Sequence, residues 1–290
     1  MTGAAAVPAV RHAPATRRPG RPPRVTTVSR PAVFRAYRPP VNRTGTSAPP
    51  RDVVRAAVAE QTLALAAEAA RLSAADLAAP SALPGWTRGH LLAHVRLNAE
   101  AFVGVLAAAA GGAPGLMYPS REQRDADIEA AAGDSPGHQV EALLVSADAF
   151  ARAWAAVPPD RYTVEFTSPA GWSRPVGVVD FFRWREVVLH HCDLHPAGAG
   201  GRTAVDVLAA ADPALVARML AETCEGFAAR DDVPPLVVTV AGTDRSWRLH
   251  DGDAAAVSGS AAALAAWLTG RSAGAGLSST GPLPALPPFA

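Results

Sequence analysis

The stretch RDVVRAAVAEQTLALAAEAARLS, residues 51 to 73, contains neither glycine nor proline and is built mainly of alanine and leucine. Residues of this kind lose little side-chain freedom in a helix, and nothing in the run interrupts the hydrogen-bond ladder. A long helix here must bury its apolar stripe against partners, which sets the search for further helices. APSALPGW breaks the first one, and Thr87 is placed to cap a second that reaches about Ala110. A third is expected from about Ser135 to Val157, and GVVDFFRWREVVLHHCDLH reads as a fourth, stopped by Pro196 and the glycines after it. Between the last two, RYTVEFTSPAGWSRPV has the alternation and turn residues of a short hairpin. Four helices of this length predict an antiparallel four-helix bundle over residues 51–196.

After PAGAGGRT the texture changes. A helix at about 212–229 precedes strand-like PLVVTVAG and SWRLHDG, a short strand near Ala255 to Ser258, and a helix at 260–270. This describes a smaller α+β domain over residues 205–290, so the chain as a whole is expected to be mainly α.

The formal net charge of +1 hides a division. Nine of the 27 basic residues, all of them arginine, lie in residues 1–50 with no acidic residue, which leaves 18 arginines against 26 acids in the body. Pro-rich pieces such as RRPGRPPR mark residues 1–50 as a disordered tail; a start codon assigned too far upstream is the preferred account of it, and sequence-blind nucleic-acid contact, the alternative, is not expected. The tail has no apolar core and no cleavage-like end, so a secretory signal is not expected. No uninterrupted apolar run has the length of a membrane span, and the two cysteines, Cys192 and Cys224, fit a reducing cytoplasm. The expected protein is a soluble, cytoplasmic monomer.

Chemistry concentrates on two of the helices. Glu186 and His190 project from one face of the fourth, with Arg183 and Asp193 in the same wedge and Phe182, Val187, Leu189 and Leu194 along its edges. His90, His94 and Asn98 form a matching polar line on the second, beside Leu91, Val95, Leu97 and Phe102. A polar stripe edged by apolar residues points into a core, where ionisable groups cost several kcal/mol unless paired or bound to a metal. A divalent ion resolves that cost for both wedges at once. Zinc suits imidazole and carboxylate donors best, with His94, Glu186 and His190 as ligands. His90 and Asp193 can then orient a ligand ring from behind, or serve as a fourth ligand. The spacing alone is also met by an ordinary ion pair and a core histidine.

PSALPGWTRGHLLAHVRLNAEAF (80–102) together with REVVLHHCDL (185–194) resembles the mycothiol-dependent maleylpyruvate isomerase family, from about Arg51 to the C terminus. That resemblance implies a DinB-type metal-binding four-helix bundle followed by a small α+β domain, with His94, Glu186 and His190 in the metal-binding positions. It implies mycothiol as thiol cofactor and a small electrophile as substrate, the family reaction being the cis–trans isomerisation of maleylpyruvate to fumarylpyruvate. Arg183 is the candidate catalytic cation, and Arg245, Arg248 and Arg271 are candidates for binding a dianionic substrate. No protein cysteine is needed, and Cys192 lies about 200° around the helix from His190. The alternatives are a mycothiol S-transferase acting on other electrophiles and a non-catalytic metal-binding or regulatory module.

Overall fold

The computed structural model describes residues 49–196, 198 and 200–289. All but the end of the Arg/Pro-rich segment 1–50 lies outside the described residues. Four long helices carry the first part: α1 (Arg51–Ala69), α3 (Arg88–Ala110), α5 (Pro136–Ala155) and α6 (Val179–Cys192). Helices α1 and α3 sit at opposite corners, each packed on both α5 and α6, so that the four close into a bundle. Leu65, Leu91, Leu92, Val95, Leu143, Val187 and Leu194 fill one end of its interior. Phe102, Phe150, Trp154, Phe166, Phe181 and Trp184 fill the other.

Local chemistry sets the helix starts. Thr87 caps α3 in a reciprocal box whose third residue is His90, Ser135 caps α5 ahead of Pro136, and Asp212 caps α8 (Pro213–Ala228) ahead of Pro213. Proline is tolerated at these first positions because its missing N–H would have no intrahelical partner there. Helix α6 ends earlier than the sequence suggests: Asp193 takes the C-cap position instead of continuing the helix toward Pro196. Helix α3 is long and apolar enough to cross a membrane by length and composition, but it is packed on α5, α6 and other elements around it and carries Arg96, Asn98 and His94. It is the bundle's core helix.

Two further helices are absent from the sequence-based expectation, α2 (Ala74–Ala78) and α4 (Arg121–Ala131), the latter capped by Ser120 and packed on α3. A small sheet flanks the bundle: β1 (Gly115–Leu116) pairs in parallel with β2 (Glu165–Thr167), which forms the expected hairpin with β3 (Ser173–Pro175).

The rest of the chain adds α7 (Ala204–Ala210), α8, α9 (Ala261–Leu268) and a sheet of order β5-β4-β6-β7, from β4 (Leu236–Val240), β5 (Ser246–Leu249), β6 (Ala255–Gly259) and β7 (Leu277–Ser279). Strands β4 and β6 run parallel, and β5 and β7 are antiparallel edges. Val207, Met219, Ala262, Ala265 and Ala266 share an apolar cluster with Leu189 and Cys192 of α6, so the two parts join through a common core. Both cysteines are buried and unpaired.

Candidate active site

Where α3 crosses α6, the two polar wedges face each other. His94 Nε2 lies 3.3 Å from Glu186 Oε2, and His190 Nε2 lies 3.5 Å from the same oxygen. The two imidazole rings meet edge to face with centroids 4.7 Å apart. One donor atom from each of the three residues falls within 4.8 Å of the other two. Ligands about 2.0–2.1 Å from a tetrahedral zinc ion stand roughly 3.3 Å apart, so the two spacings to Glu186 match those of such an ion. His94 and His190 are buried, while Glu186 keeps 22% of its side chain exposed and marks the accessible side.

The surroundings polarise each member differently. Burial pushes the His94 pKa down to about 3. Burial also opposes charge on His190, but hydrogen bonds with Asp193 and Glu186 outweigh it and raise its pKa above the ordinary imidazole value. Burial of Glu186 is likewise outweighed by its hydrogen bonds to His190 and His94, which hold the carboxylate well below its usual range. The cluster thus presents an anionic carboxylate between a neutral imidazole and a readily protonated one.

Asp193 stands behind His190 as the sequence suggests, its Oδ2 accepting from Nδ1 at 3.1 Å. His90 is used otherwise. Its Nδ1 lies 2.7 Å from Thr87 Oγ1 in the α3 cap, and its Nε2 lies 3.0 Å from Glu129 Oε2 on α4. Arg183 is fully buried, with Nη1 donating to Val95 O at 2.8 Å and to Asn98 Oδ1 at 2.9 Å, while Nε and Nη2 have no partner. Burial brings its pKa down to about 10, and Glu186 and Tyr118 act to keep it charged. Arg245 and Arg248 are exposed, Arg248 on edge strand β5. Arg271 by contrast reaches Asp193, with Nη2 2.7 Å from Oδ2.

Sequence reasoning did not find Arg124, Tyr118 or the second role of Trp86. Arg124 Nη2 lies 3.0 Å from His94 Nδ1, and its guanidinium sits 5.8 Å from the Tyr118 ring centre. The Trp86 ring lies 5.3 Å from that of His94 as well as packing at the start of α3. One of two arginines in the charged run REQRDADIEAA carries no signal that it will turn inward.

A bundle of four long helices with this cluster at its heart, joined to a smaller α+β part, defines a helical-bundle enzyme. Residues 58–195 match the mycothiol maleylpyruvate isomerase N-terminal domain, and residues 209–288 match the MDMPI C-terminal domain. The chain belongs to the mycothiol-dependent maleylpyruvate isomerase family. Among solved structures, it is similar to the crystal structure of the mycothiol-dependent maleylpyruvate isomerase, with a TM-score of 0.73, 25% identity, and coverage of 82% of this chain and 97% of that one. A His-to-Ala variant of that isomerase superposes equally well, at 24% identity over the same spans. No curated protein matches the chain.

Proposed function

We propose that His94, Glu186 and His190 hold a divalent metal, zinc by preference, and that the chain is a mycothiol-dependent isomerase of the maleylpyruvate type. The observation that carries this reading is the cluster itself: two Nε2 atoms at 3.3 and 3.5 Å from one carboxylate oxygen, the donor set and spacing of a three-ligand metal site. A divalent metal held by these residues would lower the pKa of a bound thiol, the activation that reversible thiolate addition to a cis double bond needs.

The chain's own residues supply the rest. Asp193 fixes the proton of His190 on Nδ1, leaving the Nε2 lone pair free for the metal. Arg183 places a buried positive charge close to Glu186, where it favours negative charge at the cluster. Trp86 and His94 form an aromatic wall that keeps water from one side of the cluster.

Elemental analysis of the purified protein beside His94→Ala and Glu186→Ala variants, then maleylpyruvate turnover with and without mycothiol, tests the reading. One equivalent of metal, lost in both variants, with thiol-dependent formation of fumarylpyruvate is the expected result. A stable thioether as product would assign S-transfer instead, and a wild-type chain that takes up no zinc would sink the metal site.

A further inference from the structure

The three residues of the cluster all come from the bundle, but one of its supports does not. Arg271 lies just beyond α9, in the C-terminal part, and its guanidinium is engaged at every nitrogen. Nη2 donates to Asp193 Oδ2 at 2.7 Å, Nε to Leu189 O at 3.3 Å, and Nη1 to Thr269 O at 3.0 Å. The Asp193 oxygen that receives Nη2 also accepts from His190 Nδ1. Asp193 is pinned through its backbone too, its carbonyl accepting from Ala82 N at 2.9 Å. The strut starts from firm ground, because Ala262, Ala265 and Ala266 of α9 share an apolar cluster with Leu189 and Cys192 of α6.

A neutral imidazole carries one proton, and an acceptor fixed at Nδ1 decides that Nε2 keeps its lone pair. A carboxylate free to rotate does this weakly and can swing away. A carboxylate whose one oxygen takes hydrogen bonds from a guanidinium and from the imidazole together is confined to one rotamer. We propose that Arg271 is a positioning residue for the metal site, acting through Asp193 to aim His190 Nε2 at Glu186 and His94. The C-terminal part then completes a site whose ligands it does not supply. This inference rests on the metal reading given above and assigns Arg271 to the site's support instead of to substrate.

The test is zinc affinity of the full-length chain, by competition with a chromophoric chelator, for wild type, Arg271→Gln, Arg271→Lys, Asp193→Asn and the Asp193→Asn/Arg271→Gln pair. Arg271→Gln and Asp193→Asn should each weaken zinc binding about 10- to 100-fold, the usual effect of removing a ligand's orienting partner. The double variant should be no more than about threefold weaker than the weaker single one, because both act along one chain of contacts. Arg271→Lys, which keeps the charge but not the planar fork, should fall between wild type and Arg271→Gln. A merely structural strut would lower the melting temperature of the metal-free protein without coupling to Asp193 in zinc affinity. Wild-type affinity in Arg271→Gln, or additive losses in the double variant, overturns the proposal. Should Arg271→Gln fail to fold, Arg271→Lys decides alone: affinity below wild type that is insensitive to the lysine in the Asp193→Asn background supports it, and wild-type affinity overturns it. Zinc uptake by wild type and all variants alike removes this inference only, whereas no uptake by wild type removes the metal reading as well.

Discussion

Arg124 donates from Nη2 to Nδ1 of His94 at 3.0 Å, on the opposite edge of the ring from the Nε2 that meets Glu186. An imidazole that accepts at Nδ1 holds its proton on Nε2, so His94 and Glu186 are joined here by a donated hydrogen bond. Ligation of a metal through Nε2 needs the other tautomer. Arg124 therefore competes with the metal for His94. Arg124→Leu should bind zinc about tenfold more tightly, from loss of a charged hydrogen bond of about 1.5 kcal/mol. Unchanged or weaker affinity in a chelator competition would refute the competition.

Acid should act on the metal-free protein through His94. Its folded pKa of about 3 lies far below the ordinary imidazole value, so below about pH 6.5 the unfolded chain takes up a proton that the folded chain refuses. Stability is lost over that window as pH falls. His190, with a raised pKa, contributes in the opposite sense: its stabilisation is present below about pH 6.5 and is lost as pH rises through its folded value. His94→Gln removes the first effect. The stability of wild type relative to His94→Gln, from urea unfolding, should therefore shrink between pH 7 and pH 4, and a constant difference would contradict the assignment.

Arg183 joins function to a stability cost. It is wholly buried with Nε and Nη2 unpartnered, so its desolvation opposes folding, while the two Nη1 hydrogen bonds to Val95 O and Asn98 Oδ1 favour it; an apolar replacement removes both effects. Because these two effects oppose each other, Arg183→Met should shift the melting temperature of the metal-free protein only slightly while lowering turnover by about 100-fold or more. A lower melting temperature with turnover intact would make Arg183 a structural residue.

Gly89 holds the start of α3 against the end of α4. A Cβ there would stand 2.2 Å from the Ala132 carbonyl oxygen, which is backbone and cannot turn aside. Alanine gains about 1 kcal/mol in helix propensity, but overpacking costs about 1–3 kcal/mol. Gly89→Ala should lose stability on balance, and since α4 carries Arg124, the His94 contact should loosen with it. Thermal unfolding of the variant checks the sign.

The long helices are legible because each repeats an apolar stripe and begins at a recognisable cap such as Thr87, Ser135 or Asp212. Helix α4 is not, since REQRDADIEAA has Ile128 as its one large apolar residue and no stripe to read. The two- and three-residue strands β1 and β7 are too short for alternation to register. The cluster follows the same division. His94, Glu186 and His190 share faces that four-residue spacing predicts, and the structure brings them together. His90 has the same spacing, yet the local claim of Thr87 on its Nδ1 takes precedence over the distant site. Arg124 and Arg271 reach the cluster from segments 30 and 78 residues after their partners, distances at which one sequence carries no pairing information.

Cys192 and Cys224, the chain's two thiols, are both buried, and burial pushes Cys192 up to about 12 and Cys224 higher still. A catalyst that handles a free thiol and an electrophile in the same chamber runs a standing risk of alkylating itself. Here that risk is removed by location: neither sulfur is ionised at neutral pH, and neither meets solvent until the core opens. The same seclusion makes the pair two clocks for breathing of the fold, because each sulfur's reaction with an aromatic disulfide in solution can proceed only as fast as the apolar cluster around it comes apart.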